Sequence, residues 1–305
     1  MELIVSDIVL LVISGLVVLA NGFVCGLVIT RKKLRTYTNG FVVSLAVSDI
    51  LSGGIFMPTS VLIPESRING HIAMVVIASS TLNLSAVAFE RYLAVVRPLA
   101  YKITIQNSFI RLVCAVWSVA TVMSILPVIW DAKSNLLVHK IYLSCAVVLF
   151  LVVPLIFIFF VYSFIFMRLR RHGRILRNLQ ATRTRLDEAR RSRRESKTVK
   201  LFFTILAVFG ACWIPVIYMT FVVVAERFDL IPLYLPVVSH FSIMVSSFVN
   251  PFLYTFMKQD FRQEVTSLFF CKLFRRDSGE SREATGSIVL YTKACTPYGG
   301  NEENV

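Results

Sequence analysis

Apolar residues in this chain fall into seven long blocks, roughly 8–30, 39–63, 68–94, 109–130, 141–167, 199–225 and 231–257, separated by short polar stretches. A helix needs about 20 mainly apolar residues to cross the hydrocarbon of a bilayer. Only helices and closed barrels satisfy their backbone groups there. Each block meets that length, so the pattern predicts an all-α membrane protein, a seven-transmembrane helix bundle over 8–257. A further short helix is expected after the last block. Phe261, Val265, Leu268 and Phe269 recur on one helical face, while Lys258, Arg262 and Gln263 fall elsewhere. Such a segment, 258–271, is amphipathic and lies on the membrane surface as an eighth helix. Residues 1–7 form a short leading tail, and 272–305 read as a disordered tail rich in Gly, Ser, Thr and Glu.

Composition agrees with the pattern: 56% of residues are hydrophobic and 16% charged. Charge then orients the bundle. Of 32 Lys and Arg, 28 lie on one side: Arg31 to Arg35, Arg91 to Arg111, Arg168 to Lys200, and beyond the last block. The other side holds Arg67, Lys133, Lys140 and Arg227 among acidic residues. Basic loops stay cytoplasmic, which places the N-terminus outside and the C-terminus inside; the expected location of this multi-pass chain is the plasma membrane. The net charge of +14 is accounted for by topology and attraction to anionic inner-leaflet lipid. With no soluble domain to present a basic patch, nucleic acid is not expected as a partner. The first block begins too early and runs too long for a cleaved signal, and reads as a signal anchor.

The six cysteines predict no extracellular disulfide, since no pair falls on the outer loops. Cys271, flanked by Phe270 and Lys272 at the end of the amphipathic segment, is a candidate palmitoylation site, or else an unmodified thiol.

Polar residues inside the blocks carry the chemical information. Asp49 is the only acid deep in the apolar core, at a depth shared with Asn21, Ser80, Asn83, Ser246, Ser247 and Asn250. A mid-membrane carboxylate costs at least about 2.5–3.5 kcal/mol. Such a cluster either holds a small cation, carries a proton, or packs helices through hydrogen bonds. At the inner end of the third block, Arg91 can pair with Glu90 or with Glu195, forming a latch between helix ends, or can snorkel to headgroups. Pro154, Pro215 and Pro251 interrupt the fifth, sixth and seventh helices. Kinked helices with a charge latch describe a conformational switch better than a static pore.

In this order these residues resemble the rhodopsin-like (class A) G-protein-coupled receptors. The resemblance is carried by Asn21, by LAVSD ending at Asp49, by ERYLAVVRPLAY from Glu90 to Tyr101, by Trp117, and by Pro154 with Tyr162. It continues through Phe209 with CWIP from Cys212 to Pro215 and NPFLY from Asn250 to Tyr254 followed by Phe261, and covers about residues 8–271. It implies that Asp49, Ser80, Ser246 and Asn250 line a sodium- and water-filled pocket, with Asp49 the ion's ligand. It implies that Glu90 and Glu195 hold Arg91 at rest, and that Tyr162, Phe209, Trp213, Pro215 and Tyr254 take part in the switch. Arg91, Pro98 and Leu99 would meet a heterotrimeric G protein, with Leu99 in the second inner loop. Arrestin and a receptor kinase are further implied partners, with Ser278, Ser281, Thr285, Ser287 and Thr292 as tail acceptor sites. Two departures stand out: Ser66 occupies the place of the family's outer cysteine, and the first outer loop is shortened.

Counting from the same anchors places Ala73, Met74, Ile77, Ala146, Val147, Phe150, Val216, Ile217, Thr220, His240 and Met244 around the ligand pocket. Ala73 stands where amine receptors carry a carboxylate, and Met244 where opsins carry the retinal lysine, so neither an amine nor retinal is expected. An apolar lining suits a small apolar ligand, with His240 either a ligand contact or an interhelical donor. Competing readings are a ligand-less receptor-like protein acting as a dimer partner, and a transporter or channel. The four scattered histidines argue against an enzyme.

Overall fold

The computed structural model describes residues 4–130, 135–178, 210–257 and 260–267, with 204, 207 and 208; side chains are described except at 169–170, 172–178 and 253–257. The helices are α1 (Val5–Thr30), α2 (Tyr37–Leu62), α3 (Ile68–Val96), α4 (Pro98–Ile129) and α5 (Leu136–Arg168, continuing to Asn178). They are followed by α6 (Gly210–Val224), α7 (Leu235–Met257) and a short α8 over 260–267. Among the described residues, six of these helices are long and apolar enough to cross a membrane, and α6 is a shorter apolar helix. The protein is a helical membrane bundle, as the block pattern predicts. We call the end carrying Val5 the N-terminal face and the opposite end, carrying Arg31, Arg35 and Arg91, the basic face.

One apolar core runs through the bundle, joining Val17 and Val24 of α1, Phe41 and Leu45 of α2, Val76 and Val87 of α3, Trp213 of α6 and Met244 of α7. Large apolar side chains also point outward, Leu19 and Phe160 among them. In a lipid solvent that exterior is expected, and helix contacts rest on packing and buried polar groups.

Helix α4 starts well before the apolar block at 109–130. Helix α3 ends at Val96 and α4 begins at Pro98, so Arg97 alone separates them. Pro98 suits a first helical position because its fixed φ matches the helix and its missing N–H is not needed there. The expected second inner loop is therefore a helical turn, and Leu99 lies on that turn, 95% exposed. Apolar blocks mark contact with lipid, not where a helix ends.

Two helices contain a widened π turn, Ser52–Phe56 in α2 and Val148–Val152 in α5, each just ahead of a proline, Pro58 and Pro154. A proline ring clashes with the carbonyl of the preceding turn and offers no N–H, and the wider turn relieves both. In α2 the Met57 N–H reaches back to the Ser52 carbonyl, and the next donor in that ladder would be Pro58. The Gly53 carbonyl it leaves without an N–H accepts the Ser14 hydroxyl of α1 instead. A Cβ at Gly53 would lie 2.8 Å from the Ser14 carbonyl oxygen, so α1 and α2 touch backbone to backbone here. Gly40 instead receives a side chain of α4, its open side filled by the Phe109 ring, which also meets Phe41 edge-on at 4.9 Å.

The N-terminal face is held by polar ties. Between α2 and α3 the Asn69 amide donates to the Ile63 carbonyl at 2.8 Å. The Ser124 hydroxyl of α4 donates to the His71 carbonyl at 2.8 Å, and His71 Nδ1 contacts the Ser124 carbonyl in return. This reciprocal pair joins α3 to α4 near the start of α3. The described cysteines Cys25, Cys114, Cys145 and Cys212 are all unpaired. On the basic face Glu264 of α8 lies 3.7 Å from Arg31 and 3.8 Å from Lys33, while Phe261 is buried against the bundle and Arg262 points out.

Candidate functional site

Two buried acids organise the interior, one at mid-depth and one at the basic face. Asp49, in α2 just before its π turn, is 2% exposed. Its carboxylate accepts the Asn250 amide of α7 at 3.0 Å and the Ser247 hydroxyl. The Ser247 carbonyl in turn accepts the Asn21 amide of α1 at 3.2 Å, so three helices meet around one acid. Ser80 and Ser246 are buried, and the seventh-helix hydroxyl that bonds the carboxylate is that of Ser247. Sequence depth brought Ser247 into the cluster; only the helix rotation separates it from its neighbour.

Beside this hub the interior keeps spare polar capacity. The Ser52 hydroxyl and Asn83 Oδ1 are buried without a hydrogen-bond partner, and the Asn83 amide sits 3.5 Å from the Ser48 hydroxyl. Orphaned buried oxygens are rare in folded proteins. Ser52 follows Asp49 by one turn of α2, and carboxylate and hydroxyl oxygens are of the type that hard cations and water bind.

At the end of α3, Glu90 is fully buried. Its Oε2 lies 3.2 Å from Arg91 Nε. Its other oxygen accepts the Thr38 hydroxyl of α2 at 2.6 Å and the Tyr101 hydroxyl of α4. Of the two partners open to Arg91, the structure shows Glu90; Glu195 and Phe209 lie outside the described residues, as does the side chain of Tyr254. Thr38 and Tyr101 are the residues that sequence reasoning missed. Tyr101 closes the ERYLAVVRPLAY run, yet nothing in its spacing says that α4 begins early enough to turn it back on Glu90. Tyr162 and Trp213 are buried in the main core, and Pro215 is partly buried nearby on α6. The Trp117 indole N–H donates to the Ser44 hydroxyl at 3.0 Å, fixing α4 against α2.

The residues expected around a ligand fall into two adjoining apolar clusters. Met74, Ala146 and Phe150 pack with Ala78 and Ala120, and Ile77 touches both that cluster and the main core. Val147 and Met244 are buried in the main core, with Ala73, Val216 and Ile217 against them. The Thr220 hydroxyl is spent on the Val216 carbonyl at 2.9 Å. The His240 ring meets Phe56 edge-on, 6.0 Å between centroids. Outside the spans, a hydrogen bond from Arg227 holds the Asp229 carboxyl below its ordinary pKa.

A family model described as "7 transmembrane receptor (rhodopsin family)" matches residues 20–254. The chain belongs to this family. The receptor is 29% identical over 239 residues to neuromedin-U receptor 1 of Mus musculus, a match covering 65% of the chain and 55% of that relative. It is 25% identical over 323 residues to the histamine H2 receptor of Cavia porcellus, covering 95% of the chain and 86% of the relative. It is 26% identical over 338 residues to the adenosine receptor A2a of Equus caballus, covering 97% and 78%. The chain thus spans about half the length of the first of these and most of the other two. Membership makes it a multi-pass membrane receptor rather than an enzyme, and leaves its ligand open, since the relatives are named for neuromedin-U, histamine and adenosine alike.

Proposed function

We propose that the receptor converts binding of a small apolar ligand near the N-terminal face into activation of a heterotrimeric G protein at the basic face. The loop charges support an outward N-terminal face. One observation carries the reading: Arg91 is tied to a buried Glu90 that two neighbouring helices also hold, through Thr38 and Tyr101. Such a knot would have a closed arrangement and an open one in which Arg91 joins Pro98 and the already exposed Leu99 in facing a partner. A ligand acts only through its preference for the open arrangement. Asp49, with Asn250 and Ser247, would hold a sodium ion in the closed form. Arrestin and kinase recruitment by the tail, and acylation of Cys271, concern residues outside the described ones and belong to the same proposal.

The test is ligand-free nucleotide exchange on purified G protein by the receptor in lipid nanodiscs, wild type against Arg91→Ala. Measurable exchange that Arg91→Ala removes supports the reading. Exchange that is equal in both takes Arg91 out of the mechanism. A second reading, a ligand-independent receptor or dimer partner, is favoured by the way Met74, Ala146 and Phe150 pack on one another. Under it, variants that fill this layer further leave signalling unchanged.

A further inference from the structure

Between α5 and α6, near the N-terminal face, a narrow cleft is lined by Ser144, Val147, Thr220, Phe221 and Val224. The two helices run antiparallel, so Val147 faces the Thr220 end and Ser144 comes level with Val224. One turn further out the ladder ends in an ion pair, Lys140 Nζ to Glu226 Oε1 at 2.5 Å. Phe221 is 57% exposed, so the cleft opens sideways onto lipid rather than into the ligand layer.

The way α6 ends is unusual. The Glu226 N–H bonds the Val223 carbonyl and the Arg227 N–H bonds the Val222 carbonyl, both at 3.1 Å. That double pattern is a Schellman cap, whose left-handed position is normally glycine. Here it is Glu226, at φ 57°. A side chain at that angle is strained, and what the residue gains over glycine is a carboxylate set against Lys140 at the mouth of an apolar cleft. Lys140 is one of four cations that the loop charges place on this side. Arg227 is already bound by Asp229, two contacts at 2.9 Å.

We infer that this cleft is a lateral subsite for a long-chain monocarboxylate. The ligand's carboxylate takes Lys140 over from Glu226, and its first methylenes run along the exposed Phe221 at the mouth of the cleft. Glu226 is the built-in stand-in, closing the mouth when no ligand is there. Lys140 already pairs with one carboxylate, which a ligand's carboxylate replaces one for one; a phosphate headgroup would want a second cation, and among the described residues Arg227 is held by Asp229. An uncharged alcohol of the same length offers Lys140 no counter-charge. The subsite is separate from the ligand layer, and its occupancy is read without any G protein.

The test uses the full-length receptor in nanodiscs and palmitic acid carrying a diazirine near its carboxyl end. Photolabelling is mapped by mass spectrometry. Label is expected on the segments around 144–147 and 220–224, displaced by palmitate and not by hexadecanol. Lys140→Gln lowers it about tenfold, the scale of one charge-assisted bond. Lys140→Arg keeps it, and Glu226→Gln raises it by freeing Lys140. Equal displacement by hexadecanol overturns the inference, as does undiminished labelling of a folded Lys140→Gln receptor. Should Lys140→Gln fail to fold, the alcohol comparison on wild type decides alone. Labelling without G-protein turnover would leave the subsite standing and sink the signalling proposal; turnover without labelling does the reverse.

Discussion

Removing the Thr38 hydroxyl isolates the knot at the basic face. Glu90 is fully buried, and its Oε1 accepts from Thr38 at 2.6 Å as well as from Tyr101, while Oε2 faces Arg91. Thr38→Val keeps the shape and deletes one donor to a buried charge. Hydrogen bonds to charged groups contribute about 1.5–3 kcal/mol. Two partners remain on the carboxylate, so the lower end applies, roughly a tenfold change in the balance between closed and open arrangements. While the open form is the minor one, ligand-free activity scales with its population. Thr38→Val is therefore expected to raise ligand-free nucleotide exchange about tenfold and to lower the unfolding temperature of the ligand-free receptor. Tyr101→Phe should act in the same direction, and the two changes should not add, since both act on one oxygen. The assay is nucleotide exchange in nanodiscs alongside thermal unfolding of the same preparations. Destabilised variants with unchanged or reduced exchange would refute the idea that this knot holds the receptor closed.

Other expectations test other parts of the bundle. Sodium should raise the unfolding temperature of the wild type but not of Asp49→Asn, measured against choline at equal ionic strength; an identical rise in both would exclude Asp49 as the ion's ligand. Gly53→Ala forces a Cβ to 2.8 Å from the Ser14 carbonyl oxygen, so it should destabilise by about 1–3 kcal/mol. Gly22→Ala, where nothing lies within 4 Å, should be neutral or mildly stabilising in the same unfolding assay. Ser124→Ala removes the hydroxyl that reaches the His71 carbonyl at 2.8 Å and should cost about 1 kcal/mol. A reducing agent should leave the unfolding temperature of the wild type unchanged, because the tie there is not covalent.

The spans were legible because lipid imposes one rule on every residue facing it, and seven blocks obey that rule. Asp49 and the Glu90–Arg91 pair were legible for the converse reason: charge in hydrocarbon needs a purpose. Helix rotation and helix ends were not. Whether Ser246 or Ser247 reaches Asp49 depends on the phase of α7, which neighbouring serines leave undetermined. The onset of α4 at Pro98 depends on a polar first stretch that hydropathy reads as loop, and Tyr101 went unseen with it. The π turns were hidden because a proline predicts a disturbance without saying whether the helix kinks or widens. Likewise the Ser14 hydroxyl could be matched to Gly53 only once the missing Pro58 donor was placed opposite it.

The corner at Arg97 gives the basic face mechanical leverage. With one residue between α3 and α4, the first turn of α4 cannot move independently of the end of α3, and Leu99 stands two residues from Tyr101 on that turn. A protein that seats on Leu99 therefore pushes on the same lever that steadies Glu90, and need not wait for Arg91 to come free. Reciprocity follows: whatever factor a ligand bound elsewhere in the bundle adds to the grip of that protein, the protein returns to the ligand. A ligand that tightens the docking of a protein at the basic face should therefore itself bind more tightly when that protein is docked.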